Sequence, residues 1–192
     1  MGLAAPSCWV LSIRKNVGGA PDMVPGNPDG ERGAAAEGGL AEFEFALWHL
    51  GAAFARWRRD CFASVCDLGL GGTEASVLHV AHMNDTAKSL MEIARLLHRD
   101  DLTNLQYAVK KLLRLGLLEK RGAARKTMTY GVSPRGREIV EAYLAERRRI
   151  LLRLHARMGP VAQELGDTAT LMHLLVGVYD QASELVLTRR PE

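Results

Sequence analysis

Apolar positions recur at helical spacing along most of this chain. From about Glu42, Phe43, Leu47, Leu50, Phe54, Trp57 and Cys61 follow one another at 4-3-4-3-4 intervals, one seam of a long helix. Gly69, Gly71 and Gly72 interrupt the pattern. Thr73 then offers an N-cap for a second helix with Val77, Leu78, Val80 and Ala81 inside. Residues 89–92 read Ser-Leu-Met-Glu, the spacing of a capping box, and open a short third helix holding Ile93, Ala94 and Leu97. A turn at Arg99, Asp100 and Asp101 follows. Asp101 or Thr103 can cap a fourth helix whose Leu105, Ala108, Val109 and Leu112 face inward, and Gly116 sits where a C′ glycine stops a helix.

After Gly116 the period changes. Leu117 to Arg121 fits a short strand, and 122–126 is a turn rich in small and basic residues. Thr127 and Thr129 alternate with Met128, Tyr130 and Val132, the period of a half-buried strand. Two such strands make a hairpin. Ser133 followed by Pro134 is an N-cap with proline at the first helical position. The helix it opens runs to about Met158, with Val140, Tyr143, Ile150, Leu151 and Leu154 on one side, and Gly159-Pro160 ends it. A last helix begins near Asp167 or Thr168. Its Leu171, Leu175, Val178, Ala182 and Leu185 repeat at 4-3-4-3, a coiled-coil-like seam that Leu174 and Val186 widen.

The first 40 residues differ. They hold eight glycines and four prolines, gain little by folding, and are expected to be a flexible tail. The rest divides into an N-terminal helix over 41–66, a helix-turn-helix with a hairpin wing over 73–133, and C-terminal helices over 134–188. The predicted fold class is mainly α with a small β-hairpin: a winged helix-turn-helix flanked by long dimerisation helices.

Charge sharpens this picture. The net charge is only +3, yet between Lys110 and Lys126 seven basic residues stand against one acid, Glu119. A local basic stripe in a nearly neutral chain suits a polyanionic partner. Three cysteines without framework spacing point to a reducing compartment. No apolar run approaches the ~20 residues of a membrane span, and the basic pair Arg14-Lys15 follows the first apolar run, the reverse of a secretory signal. A cytoplasmic protein without membrane contact is expected.

The helix-turn-helix of 89–121, the wing and following helix of 122–139, and the long helices on both sides together resemble the MarR family of winged-helix transcriptional regulators. The resemblance covers about 42–188. Residues 112–121, LLRLGLLEKR, are similar to the family's passage from recognition helix to wing, and 132–139, VSPRGREI, to its wing exit. The resemblance implies a homodimer on a pseudo-palindromic operator, expected to repress and to be released by a small effector. The wing tip departs from the pattern. Arg125 stands for the family's tip arginine without the usual preceding Asp, so groove insertion and a looser phosphate contact are both open.

On this reading the fourth helix enters the major groove. Asn104 and Gln106 suit adenine edges, Tyr107 a sugar or thymine methyl, and Lys110, Lys111 and Arg114 phosphate or guanine. Thr103 joins them at the helix start, Ser89 suits phosphate at the start of the third helix, and Arg121, Arg125 and Lys126 support from the wing. Two-fold operators need recognition helices about one turn, roughly 34 Å, apart. Dimerisation is therefore expected through Phe43, Leu47, Leu50, Phe54, Leu151, Leu154, Leu171, Leu175, Val178 and Leu185. The resemblance also places Trp48, Phe54, Trp57 and Tyr143 at an effector cleft between dimer helices and DNA lobe.

Other chemistry is weaker. His79 and His82 share a helix, but no Cys-x-x-Cys or His-Glu-x-x-His accompanies them, so no metal is expected. The loop 67–72, DLGLGG, follows a helix and lacks the Lys-Ser/Thr ending of a phosphate loop. No nucleophile–base constellation appears, so neither enzyme activity nor a cofactor is expected. The alternatives are a winged helix that meets an acidic protein, or a small-molecule sensor without specific DNA binding. Salt-dependent duplex binding separates them from the regulator.

Overall fold

The computed structural model describes residues 28–122, 127–159 and 164–189. In chain order they form α1 (Pro28–Val65), α2 (Gly72–His82), α3 (Leu90–Leu96), α4 (Leu102–Arg114), β1 (Leu118–Arg121), β2 (Thr129–Val132), α5 (Pro134–His155) and α6 (Leu165–Thr188). A single 3-10 turn, Met83–Asp85, follows α2. The mainly helical chain with one antiparallel hairpin is the predicted fold class. Its hairpin register pairs Leu118 with Val132 and Arg121 with Thr129. Among the described residues no helix is long and apolar enough to cross a membrane.

The chain divides into two compact units between His49 and Leu50. Described residues of the first belong to the N-terminal half of α1. There Phe43 and Leu47 are half-buried, and Phe45 packs against His49 with ring centroids 4.2 Å apart. α1 begins at Pro28, ahead of the Glu42 where its apolar seam starts.

The second unit holds the core. Phe62 of α1, Val77 and Leu78 of α2, Ile93 of α3, and Leu105, Val109 and Leu112 of α4 meet Leu117, Val132 and Val140. The seam of α1 reaches this core at its C-terminal end, where Cys61 and Phe62 are buried while Leu50 and Phe54 stay exposed. Tyr143 of α5 stacks on Phe62 at 4.1 Å, an aromatic pair that closes one side of the core. Buried apolar area of this kind is the main stabilising term for a small lobe.

Local chemistry sets the ends of the elements. Ser89 Oγ accepts from Glu92 N at 3.2 Å while Ser89 N donates to Glu92 Oε2 at 2.7 Å, a complete capping box. Asp101 Oδ1 accepts from Asn104 N at 3.0 Å and so caps α4; Thr103 has no such role. α4 ends in a Schellman motif. Gly116, at φ +69, donates to Leu113 O, and Leu117 N reaches Leu112 O at 2.9 Å. Ser133 Oγ accepts from Gly136 N at 3.0 Å and donates to Gly116 O at 2.7 Å, which ties the start of α5 to the end of α4. Gly136 is needed there, because a Cβ would stand 2.2 Å from Leu117 O.

One cap differs from expectation. α2 opens at Gly72 with Gly71 as N-cap and no side-chain cap bond. Thr73 lies inside the helix, and its Oγ1 instead accepts from Arg99 Nη1 at 3.2 Å. The long-range partner outcompetes the local cap. α5 also stops at His155, three residues short of Met158.

Lys88 makes a contact that no periodicity signals. Its backbone pairs both ways with Tyr130, at 3.0 and 2.8 Å, and so adds a bridge to the wing. Its side chain is buried, and Nζ donates to Met83 O at 2.5 Å, Thr86 O at 2.9 Å and Thr86 Oγ1 at 3.3 Å. A buried ammonium is tolerated only with such partners. They hold the 83–86 turn, in which Asn84 and Asp85 both adopt positive φ.

Candidate nucleic-acid interface

α4 is divided sharply by burial. Leu105, Ala108, Val109 and Leu112 are all buried, as their spacing predicts. The opposite face exposes Thr103, Asn104, Gln106, Tyr107, Lys110 and Arg114. Tyr107 is 66% exposed, and Lys110 Nζ lies 5.6 Å from its ring centroid. This contact holds a cation over the face of an aromatic ring on the surface. Lys111 differs from its neighbours. It is half-buried, 3.2 Å from Glu74 Oε1, and donates to Gly69 O at 2.8 Å. Its charge is committed to α2.

α3 precedes this helix as the first element of the pair. Ser89 is half-buried at its start. Hydrogen bonds from the Ser89 backbone N–H, then from its hydroxyl, hold the Glu92 carboxyl below the usual carboxylate range. Arg95, in the last turn of α3, is exposed and adds a cation that the sequence reading did not single out.

The wing follows β1. Arg121 is exposed at the strand end, its guanidinium lying over Gly131, where a Cβ would stand 3.1 Å from Nε. Arg125 and Lys126, expected at the wing tip, lie outside the described residues. At the base of the wing Arg137 of α5 pairs with Asp85, and this guanidinium holds the Asp85 carboxyl below its ordinary value.

The residues expected at a dimer interface are unevenly covered. Leu151 and Leu175 are half-buried, whereas Leu154, Leu171, Val178 and Leu185 are exposed. α6 buries none of its 24 residues, although Leu174, Val186 and Leu187 also point outward.

A cavity of about 380 Å³ opens behind the helix pair. Phe54 and Arg58 of α1, Ser76, His79 and Val80 of α2, Leu97, and Tyr143, Leu144 and Arg147 of α5 line it. It gathers Tyr143 and Phe54 of the expected cleft. Trp57 is half-buried elsewhere, and Trp48 of the first unit is 74% exposed. Arg58 Nη2 donates to Gly72 O at 3.1 Å, its guanidinium lies 5.6 Å from the Phe54 ring, and its buried Nε finds no acceptor among the described residues. Burial, then His82, Arg147 and Arg58, push the His79 pKa down. Burial raises the Tyr143 phenol. Arg58, His79 and Arg147 are separated in sequence by 21 and 68 positions, so spacing gives no signal of their convergence. Burial also raises the Cys61 and Cys66 thiols, the opposite of a reactive thiolate.

Residues 70–136 match the model of a winged helix DNA-binding domain. The fold resembles that of several solved structures. The protein RV1404 from Mycobacterium tuberculosis has 19% identity and a TM-score of 0.58, with 72% of this chain and 94% of that one covered. A MarR-family transcriptional regulator from Rhodococcus sp. RHA1 has 17% identity and a TM-score of 0.58, over 69% and 93%. The MarR-family regulator SPO1453 from Silicibacter pomeroyi DSS-3 has 23% identity and a TM-score of 0.54, over 67% and 93%. No curated protein matches the chain. The fold is therefore a winged helix flanked by long helices, shared with these structures.

Proposed function

We propose that this protein is a MarR-family transcriptional regulator that binds a pseudo-palindromic operator as a homodimer in the cytoplasm and represses. The carrying observation is the split of α4 into a buried apolar face and an exposed face of Asn104, Gln106, Tyr107, Lys110 and Arg114, beside a hairpin. That face offers amide groups for base edges and cations for phosphate. Thr103, Ser89 and Arg121 add further donors for the DNA backbone, and Arg125 and Lys126, by their place in the sequence between the two strands, add cations. Lys111, already engaged with Glu74, contributes least.

The homodimer reading draws on the uncovered apolar side chains of α6 and of the α1 seam. Exposed apolar side chains at this density along a helix are costly in water and typical of an interface. The cavity behind the helix pair supports an effector site. Its lining carries Arg58, Arg147 and His79 and no carboxylate, so an anionic ligand with an apolar body fits it. Such a ligand shifts operator binding only if it favours one spacing of the two lobes. Trp48 and Trp57 are not needed for this pocket.

Binding-site selection with the purified protein tests the reading. The expected result is a two-fold motif with half-sites about one DNA turn apart. Recovery of no motif, with equal affinity for selected and random duplex, contradicts it.

A further inference from the structure

α3 ends in a second Schellman motif, and its C′ residue is not glycine. His98 N donates to Arg95 O at 3.1 Å and Arg99 N to Ala94 O at 3.0 Å, with His98 at φ +51. Glycine closes this motif without Cβ strain, whereas a histidine pays for the left-handed backbone. The strained residue sits at the turn between the two helices of the DNA-binding pair. Its imidazole leaves the lobe, and Nε2 lies 3.1 Å from Asp180 Oδ1 on α6. Arg95, Arg99 and Asp100 flank the contact. Arg99 is already engaged, by Thr73 Oγ1 at 3.2 Å and Asp101 at 3.8 Å.

We propose that His98 and Asp180 are positioning residues: their hydrogen bond latches the helix-turn-helix to α6 and so sets the spacing of the two recognition helices in the dimer. This inference rests on the DNA-binding reading above. The pair is exposed, with side chains 64% and 57% accessible, so it contributes little to folding. Its leverage is geometric. α6 buries no residue and has only Met172, Leu175 and Tyr179 half-buried among its described residues, so a contact at Asp180 adds to a thin attachment. A lobe freed from α6 samples more spacings, and a two-half-site operator must select one of them at an entropic cost. A single half-site imposes no such selection.

The test compares wild type, Asp180→Ala, His98→Gly and His98→Gln on three duplexes of equal length: the two-half-site sequence from binding-site selection, the same with one half-site scrambled, and a random sequence. Thermal unfolding is followed in parallel. Asp180→Ala and His98→Gly are expected to bind the two-half-site duplex about threefold to tenfold more weakly, with single-half-site and random affinities unchanged. His98→Gly is expected to keep or raise Tm, because it relieves the left-handed strain. His98→Gln places an amide donor near the Nε2 position and is expected to restore most of the two-site affinity. Wild-type preference for the two-site duplex with no change in Asp180→Ala overturns the latch alone. Equal losses on all three duplexes, or a loss that tracks a fall in Tm, also overturn it. A wild type that does not distinguish the three duplexes overturns the DNA-binding reading itself.

Discussion

The lobe built from α2 to β2 and the helix α6 are both rich in apolar side chains, yet they use them in opposite ways. In the lobe, Val77, Leu78, Ile93, Leu105, Leu112 and Leu117 are fully enclosed by one another. In α6, Leu171, Leu174, Val178, Leu185 and Val186 are all more than half exposed. The difference is one of spacing and neighbours. α4 carries its apolar residues on one narrow face, and α2, α3 and β1 cover that face from the same chain. α6 carries a 4-3-4-3 seam broadened by Leu174 and Val186, and only Met172, Leu175 and Tyr179 of it are half-buried. The lobe thus encloses its own apolar side chains, whereas α6 leaves most of its own exposed, the face proposed above to meet a second copy.

The largest expected effect breaks the enclosed side of this contrast. Leu112→Ala should destabilise the lobe by about 2–5 kcal/mol, because the cavity it leaves lies among rigid neighbours. Urea unfolding followed by circular dichroism measures the loss. The double substitution Leu171→Asp, Val178→Asp addresses the open side. It should leave the lobe folded and convert a dimer to a monomer at micromolar concentration in light scattering. A wild type that is already monomeric contradicts the proposed interface. Ser133→Ala comes next, since its hydroxyl both caps α5 and binds Gly116 O. A loss of about 1–2 kcal/mol is expected in the same unfolding assay.

Smaller effects sharpen the division between reading and anchoring cations. Lys110→Ala should weaken binding to all duplexes and flatten the salt slope by about one unit. Lys111→Ala should change that slope less, since its ammonium already serves Glu74 and Gly69. The least effect concerns acid. Arg137 depresses the Asp85 carboxyl in the folded state. The contribution is present above the unfolded carboxylate pKa, near 4, and is lost as pH falls through the lower folded value. Asp85→Asn should therefore narrow the difference in Tm between neutral pH and about pH 3, seen by differential scanning calorimetry.

Much of the lobe was legible because its signals are local. Ser89 and Glu92, Asp101 and Asn104, and Ser133 and Gly136 each meet across three residues, so a short window holds both partners. The inner face of α4 was legible for the same reason. Thr73 was misread because its partner, Arg99, lies 26 residues away. The bridge from Lys88 to Tyr130 and the convergence of Arg58, His79 and Arg147 depend on how whole elements pack, which no periodicity records. Lys111 looked like its neighbours in sequence, and only the placement of Glu74 on α2 separates it from them. At the candidate interface the helix face was therefore readable, while the state of each cation on it was not.

The most direct measurement of the central claim is fluorescence anisotropy of a labelled duplex carrying the two-fold motif from site selection, titrated with protein at several salt concentrations beside a random duplex of equal length. A preference of at least about a thousandfold for the motif is expected, with one dimer per duplex and a log affinity that falls linearly with log salt. Equal affinity for both duplexes at every salt concentration would contradict it.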